Sequence, residues 1–447
     1  MKMKSILAGM LSMGLLAVSC NKEESGAASM PEAGVKTYAS LSVSLQNTST
    51  RAVAADPNAV SEETKIGSLN IYIFNGGVLE TTGSITLNEQ NEGTTSVATT
   101  TGPKTIYAVV NKTVTGAVGS LQSDFEQQLL AALDSDIAAA DNFFMVGSTG
   151  ATLVEQTEDQ AIEKANLIQI SVARAAAKVQ MRYNNVPVKP VVDAAVADAR
   201  YTLAQQNTQM YLLRNGFDVS PKGAAAEQMD ADNDGTYDHL KKLDNPLEDA
   251  NLISAVENFT HAYAESRYLG ENVNETPATG NTSYVLICVQ VTPNASAGVD
   301  GTVTVGGFTA GSDFWVIANH DTANGSIQFA AKEDKILYFA SQDAADSYLT
   351  VNTADLTGYE VLKYTEGKSY YRLNIRDIRQ SALTQKYAVL RNHYYKVNIT
   401  EISNLGYNSP DGTVPTDPET PLETQTYISA EITIEPWTVV DMNEPLG

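Results

Sequence analysis

Three groups of residues in this chain have types and spacing suited to chemistry. The run Asp230-Ala231-Asp232-Asn233-Asp234-Gly235-Thr236-Tyr237-Asp238 puts oxygen donors at alternate positions around a glycine. This matches the first nine positions of a calcium loop, where hard oxygen ligands surround a hard cation. The twelfth position is Lys241, where a bidentate glutamate is needed. A structural calcium site at Asp230, Asp232, Asp234, Thr236 and Asp238 and a plain solvated acidic loop are therefore both open, and no other cofactor is indicated. The second residue is Cys20. Lys2 and Lys4 precede an uncharged stretch, 5–19, that ends with Ala17, Val18 and Ser19 before the cysteine. A short apolar run behind a basic start is an export leader, and it is shorter than the roughly 20 apolar residues of a membrane span. Its small residues admit a peptidase, after which the Cys20 thiol carries a lipid. The third is Arg51, followed by Ala52 in a small, polar link, NTSTRAVAADPNAVSEE, that reads as exposed to proteases.

Catalytic patterns are lacking. His239, His261, His320 and His393 show no metal-ligand spacing, and no nucleophile elbow or phosphate loop occurs. The chain is therefore not read as an enzyme. The remaining cysteine, Cys288, lies in SYVLICVQV and is expected as a buried strand residue. The net charge of -24, from 53 acidic and 29 basic residues, excludes nucleic acid as a partner. It suits a body kept from non-specific association.

The elements that must position these residues are mostly strands. KTYASLSVSLQ (36–46) alternates, with Ala39, Leu41, Val43 and Leu45 on one face. LNIYIF, PKTIYAVVN, FFMVGS, SYVLICVQVTP, FWVIAN, SIQFA and ILYFA are further strands, as are YYRLNIRDI (370–378) and YYKVNITEI (394–402). LIQISVARAAAKVQMRY (167–183) reads as strand, helical turn or bulge, strand. Apolar residues at Leu121, Phe125, Leu129, Leu130, Leu133 and Ile137 predict one amphipathic helix over 121–139. At the C-terminal end, Ile428, Ala430, Ile432 and Ile434 share a strand face that ends at Pro436 and Trp437. With no recurring helical crossovers, the fold class is mainly β: two β-sandwich domains with short helices. The expected layout is a leader at 1–19, a propeptide with a removable first strand at 20–51, an N-terminal domain at 52–185, a C-terminal domain at 186–426 and a terminal segment at 427–447.

The two ends suggest a process. Cleavage after Arg51 would strip the first strand and leave an apolar groove with two lines of unpaired backbone. The C-terminal strand of a neighbour can fill it by β-addition, and such head-to-tail contacts propagate as a filament. The alternative is that both ends are ordinary strands of their own domains. Trp437 is likewise open between an anchor in the neighbour's groove and a ring packed at home.

The chain resembles the major fimbrillins of Bacteroidales, which build type V pili. The features that carry the likeness are the leader ending in Cys20, TRA at 50–52, LNIYIF at 69–74, SVARAAAKV at 171–179, YAVLRNHYYKVNI at 387–399, the proline-rich loop 408–421 and ITIEPWTVV at 432–440. The resemblance implies two transthyretin-like, Greek-key β-sandwich domains and a precursor lipidated on Cys20 at the outer membrane. It implies an arginine-specific protease acting at Arg51–Ala52. It also implies donor-strand exchange through Ile428, Ala430, Ile432, Ile434 and Trp437, with copies of the chain and anchor and tip subunits as partners. Extracellular fimbriae serving adhesion and colonisation follow. A non-polymerising surface lipoprotein, or an accessory or tip adhesin binding glycan or host protein, is the alternative, with Tyr370, Tyr371, Tyr394 and Tyr395 as its candidate contact residues. In the same resemblance, Arg391, Asn392 and His393 have a structural task at the start of a strand.

Overall fold

A computed structural model of the 447-residue chain describes residues 34–45, 59–85, 96–162, 166–214, 216–221, 236–241, 251–321, 326–414, 417–419, 422 and 427–437. The fold is mainly β, as the alternating patterns require. Seven strands form the first sheet: β1 (Lys36–Leu45), β2 (Leu69–Asn75), β3 (Val78–Ile85), β4 (Ser96–Thr100), β5 (Gly102–Val110), β6 (Met145–Leu153) and β7 (Leu167–Arg174). Their order across the sheet is β3-β2-β5-β6-β7-β1-β4. The sheet curls until its two ends meet. A side chain on Gly83 of β3 would reach within 2.9 Å of Val97 on β4, so the small residue permits the closure. Inside lies a core of Ile71, Ile73, Phe74, Ile106, Ile170 and Val172, all fully buried.

The chain then bends at Ala175–Ala176 and enters β8 (Ala177–Arg182), which belongs to a different sheet. The two strands read within 167–183 are present, and a bend joins them in place of a helical turn. The first core reaches Ala176 and the second starts at Ala177. Along this stretch the change of core falls before the proline-rich 184–192 segment, while Met210, Leu212, Tyr268, Tyr394 and Trp437 return to the first core.

The second region adds β9 (Ala194–Ala204), β10 (Arg267–Leu269), β11 (Tyr284–Pro293), β12 (Phe314–Asp321), β13 (Ser326–Phe329), β14 (Glu360–Tyr364), β15 (Lys368–Asn374), β16 (His393–Ile402) and β17 (Ile428–Pro436). One four-stranded sheet runs β10-β8-β16-β17, and β9-β11-β15 continues a second from the short strand Ile253–Ser254. Val179, Met181, Tyr395 and Val397 of the first share a single core with Tyr201, Leu203, Val285, Ile287 and Leu373 of the second. Cys288 is buried on β11, as its apolar run predicts.

One sequence expectation fails here. The helix over 121–139 is replaced by short helices at Gln122–Glu126 and Asp134–Ile137 flanking a strand, Leu129–Ala131. That strand pairs with Gln209–Tyr211, and this tertiary pairing overrides the helical spacing. Among the described residues the longest helix lies instead at Gln342–Val351, where the Ser341 side chain accepts a hydrogen bond from the Ala344 amide at 3.3 Å.

Candidate functional site

β1 lies inside the first sheet with both edges occupied. Ser40–Leu45 pair in parallel with Leu167–Val172 of β7, and Lys36–Ser40 pair antiparallel with Ser96–Thr100 of β4. Thr37, Ala39 and Leu41 face the core and are buried. Each neighbour is also held independently of β1. β7 is tied to β6 through Ala173 and Arg174. β4 is tied to β3 and β5 by a buried polar cluster: Lys104 Nζ donates to Glu80 Oε2 at 2.6 Å and to Thr100 Oγ1 at 2.8 Å, and Thr99 Oγ1 donates to Glu80 Oε1 at 2.8 Å. Burial pushes the Glu80 carboxyl up, but the hydrogen bonds from Lys104 and Thr99 outweigh it and hold the group below the usual carboxylate range. Lifting β1 out would thus leave two flanking strands still attached to the sheet.

Cys20, Arg51 and Ala52 lie outside the described residues, as does the link itself up to residue 58. Where the chain reappears, it is less exposed than its polar composition suggests. Glu63 is fully buried at the end of a short 3-10 turn. Its carboxylate accepts from Lys178 Nζ at 2.7 Å and from the Tyr268 hydroxyl at 2.5 Å. Its carbonyl accepts from Arg174 Nε at 2.8 Å. Burial first, then the Glu63 charge, push the Tyr268 hydroxyl far above its usual range. The last residue of the link, read from sequence as exposed, is therefore pinned against both regions by a paired, hydrogen-bonded charge. In sequence the only hint of this is the placing of two cations, Arg174 and Lys178, in the otherwise apolar SVARAAAKV block.

The C-terminal strand ends on the same cluster. β17 pairs antiparallel with β16 of its own chain, from Ile402↔Ile428 to His393↔Pro436, and forms the sheet edge. Ile428 is buried; Ala430 and Ile432 are half-buried against the second core. Ile434 pairs with Tyr395. Trp437 is fully buried at home: it stacks on Tyr268 (centroids 5.8 Å apart, 18° between planes), meets Phe143 edge-on at 5.7 Å and lies under the Arg174 guanidinium at 4.3 Å. Its amide donates to Asn392 O at 2.9 Å, while the Asn392 amide donates to Ala176 O at 2.8 Å. Asn392 adopts a left-handed φ of 58°, and Arg391 makes a two-pronged pair with Glu271 at 2.6 and 2.7 Å. Arg391 and Asn392 thus lead into β16 at His393, Arg391 tied to Glu271 and Asn392 tied to both Ala176 and Trp437.

The remaining candidates are described only in part. Asp230, Asp232 and Asp234 lie outside the described residues. Thr236 is buried and accepts from Gln205 Nε2 at 3.3 Å, and Asp238 follows it. Among the described residues no three His, Cys, Asp or Glu side chains cluster to hold a metal ion. Tyr370, Tyr371, Tyr394 and Tyr395 are all buried, on both faces of their strands, so none offers an aromatic contact surface. Among the described residues no helix is long and apolar enough to cross a membrane.

Comparison with known proteins adds the family. The profile of the major fimbrial subunit protein (FimA) matches residues 39–189, and that of the major fimbrial subunit protein type IV, fimbrillin, C-terminal, matches 362–443. The chain is 25% identical to the minor fimbrium subunit Mfa1 of Porphyromonas gingivalis, over 97% of each protein. It aligns with the crystal structure of a fimbrilin from P. gingivalis W83 at a TM-score of 0.49 and 14% identity, covering 92% of this chain and 99% of that one. A putative cell adhesion protein from Parabacteroides distasonis aligns at 0.49 and 13%, covering 91% and 100%. With its N-terminal and C-terminal portions matched in order by the two fimbrial profiles, the chain belongs to the Bacteroidales fimbrillin family of fimbrial subunits.

Proposed function

We propose that this fimbrial subunit is a stalk component that polymerises by strand exchange after proteolysis. The supporting observation is the setting of β1: a single N-terminal segment between two strands that are each anchored without it. In this reading a lipid on Cys20 delivers the precursor to the outer membrane. An arginine-specific protease cuts at Arg51–Ala52 and releases residues 20–51 with β1. A segment within 427–447 of the next copy then enters the slot, and anchor and tip subunits close the two ends. The work is mechanical, without catalysis or a cofactor, in an extracellular fimbrium that supports adhesion. A calcium ion at 230–238 remains a subordinate proposal, tested by calcium-dependent melting of the intact chain.

One observation favours the alternative of a non-polymerising surface lipoprotein or accessory subunit. Residues 428–437 are already seated in their own chain, and donating them requires opening the β16–β17 ladder and withdrawing Trp437. The deciding experiment treats the precursor with an arginine-specific protease and follows the new N-terminus and the polymer size. Ala52 as the new terminus together with a ladder of oligomers is the expected result. Clean cleavage with persistent monomer would sink the stalk reading. Removing 438–447 spares Trp437, so loss of the ladder in that variant places the donor beyond the tryptophan.

A further inference from the structure

The backbone ladders on either side of β1 are blind to sequence, since any strand supplies the same N–H and C=O groups. A slot read only by backbone accepts a strand in several registers. A slip of one residue would turn Ala39 and Leu41 out of the core. Something must fix the register, and one side chain of β1 is placed to do so.

Thr37 is fully buried at the start of the strand. Its Oγ1 donates to Val154 O at 2.7 Å and accepts from the Gln156 amide at 2.9 Å, with Asn166 Nδ2 at 3.4 Å. Asn166 is itself buried and also donates to Val154 O at 2.9 Å and to Tyr38 O at 3.0 Å. These partners come from the segment after β6 and the residue before β7, so the socket belongs to the body and stays when β1 leaves. Ser40 Oγ, by contrast, is buried and makes no hydrogen bond among the described residues. The slipped alternatives, Lys36 and Tyr38, are a charge and a large ring.

We infer that the pocket formed by Val154 O, the Gln156 amide and Asn166 is a hydroxyl-reading register lock for whichever strand fills the slot. This rests on the strand-exchange reading. β1 occupies the slot in the precursor, and a second copy of the chain supplies the strand in the polymer. The C-terminal sequence repeats the required order: Thr426, Ile428, Ala430, Ile432 and Ile434 follow the spacing of Thr37, Ala39, Leu41, Val43 and Leu45. Ser429 and Thr433 fail the same test, because Glu431 and Glu435 stand two residues after them.

Synthetic strands test the lock. Peptides of residues 36–45, either unaltered or carrying Thr37→Ser or Thr37→Val, are titrated onto the full chain after processing at Arg51 and removal of its N-terminal fragment. Valine keeps the size and loses the hydroxyl. It leaves the Gln156 amide without its acceptor, so its peptide should bind about tenfold more weakly. Serine should stay within about threefold of threonine, since it keeps both hydrogen bonds. The 425–434 peptide should lose affinity in the same way on Thr426→Val. Equal binding of the unaltered and Thr37→Val peptides overturns the register lock while leaving strand exchange intact. A hydroxyl effect on 36–45 but none on 425–434 overturns the second copy's 426–434 segment as the occupant. Failure of the unaltered 36–45 peptide to bind overturns strand exchange and the lock together.

Discussion

The first and last described strands of this molecule are held in opposite ways. β1 is an inner strand, paired on both edges, and its described inward side chains are modest: Thr37, Ala39 and Leu41. β17 is an edge strand, paired on one side, but it ends in a fully buried tryptophan under an arginine. Backbone pairing dominates the first attachment and side-chain packing the second. A strand held mainly by backbone can be replaced by another of the right register. One held by a large, specific ring resists replacement. The difference teaches that the N-terminal slot is the generic site of the molecule and the C-terminal seat the specific one.

The largest test of this contrast is Trp437→Ala. It removes a ring packed against Tyr268 and Phe143 and should cost about 4 kcal/mol in denaturant unfolding, whether or not β1 is present. A loss below about 1 kcal/mol would mean that backbone pairing alone retains β17. Next comes Glu63→Gln, which leaves the fully buried Lys178 without its counter-charge. About 3 kcal/mol of destabilisation is expected, and a Glu63→Gln, Lys178→Met double variant should lose less than the sum of the singles. Leu41→Ala sharpens the other side. It should lower precursor stability by about 2 kcal/mol and leave the processed chain, which lacks β1, unchanged. An equal loss in both forms would show that β1 stays in place after cleavage. The smallest effect concerns acid. The Glu80 carboxyl is held below its ordinary value of 4.5 in the fold, so its contribution is full above that pH and fades as pH falls through the folded value. The unaltered precursor should therefore lose stability more steeply below pH 4.5 than the Glu80→Gln variant, measured by melting temperature across pH.

Much of the fold was legible because a half-buried strand writes its period into the sequence. The alternations at 36–46, 167–174 and 428–434 needed no partner to be recognised. The spacing over 121–139 misled because it counted apolar residues without knowing their burial. Leu121 is 41% and Leu129 52% exposed, and the latter begins a strand whose partner lies far along the chain. Glu63 was hidden for the converse reason. A glutamate in a polar stretch reads as solvated, and its burial depends on cations more than a hundred residues away. The helix at 342–351 did carry a local signal, a serine cap before Asp343 and paired alanines, which is weaker than an amphipathic stripe. The family likeness supplied the expected processing and donor residues, but only the structure separates an inner strand paired on both edges from an edge strand that ends in a buried ring.

The parallel and antiparallel ladders of β1 also have a mechanical meaning. A strand pulled along its own axis between two fixed neighbours loads every flanking hydrogen bond at once, in shear. An edge strand pulled outward from one end, as β17 would be from Trp437, peels one pair at a time. A fibre whose links occupied the β1 slot would distribute tension over both ladders together, and would be strongest along the direction in which a tethered cell is dragged.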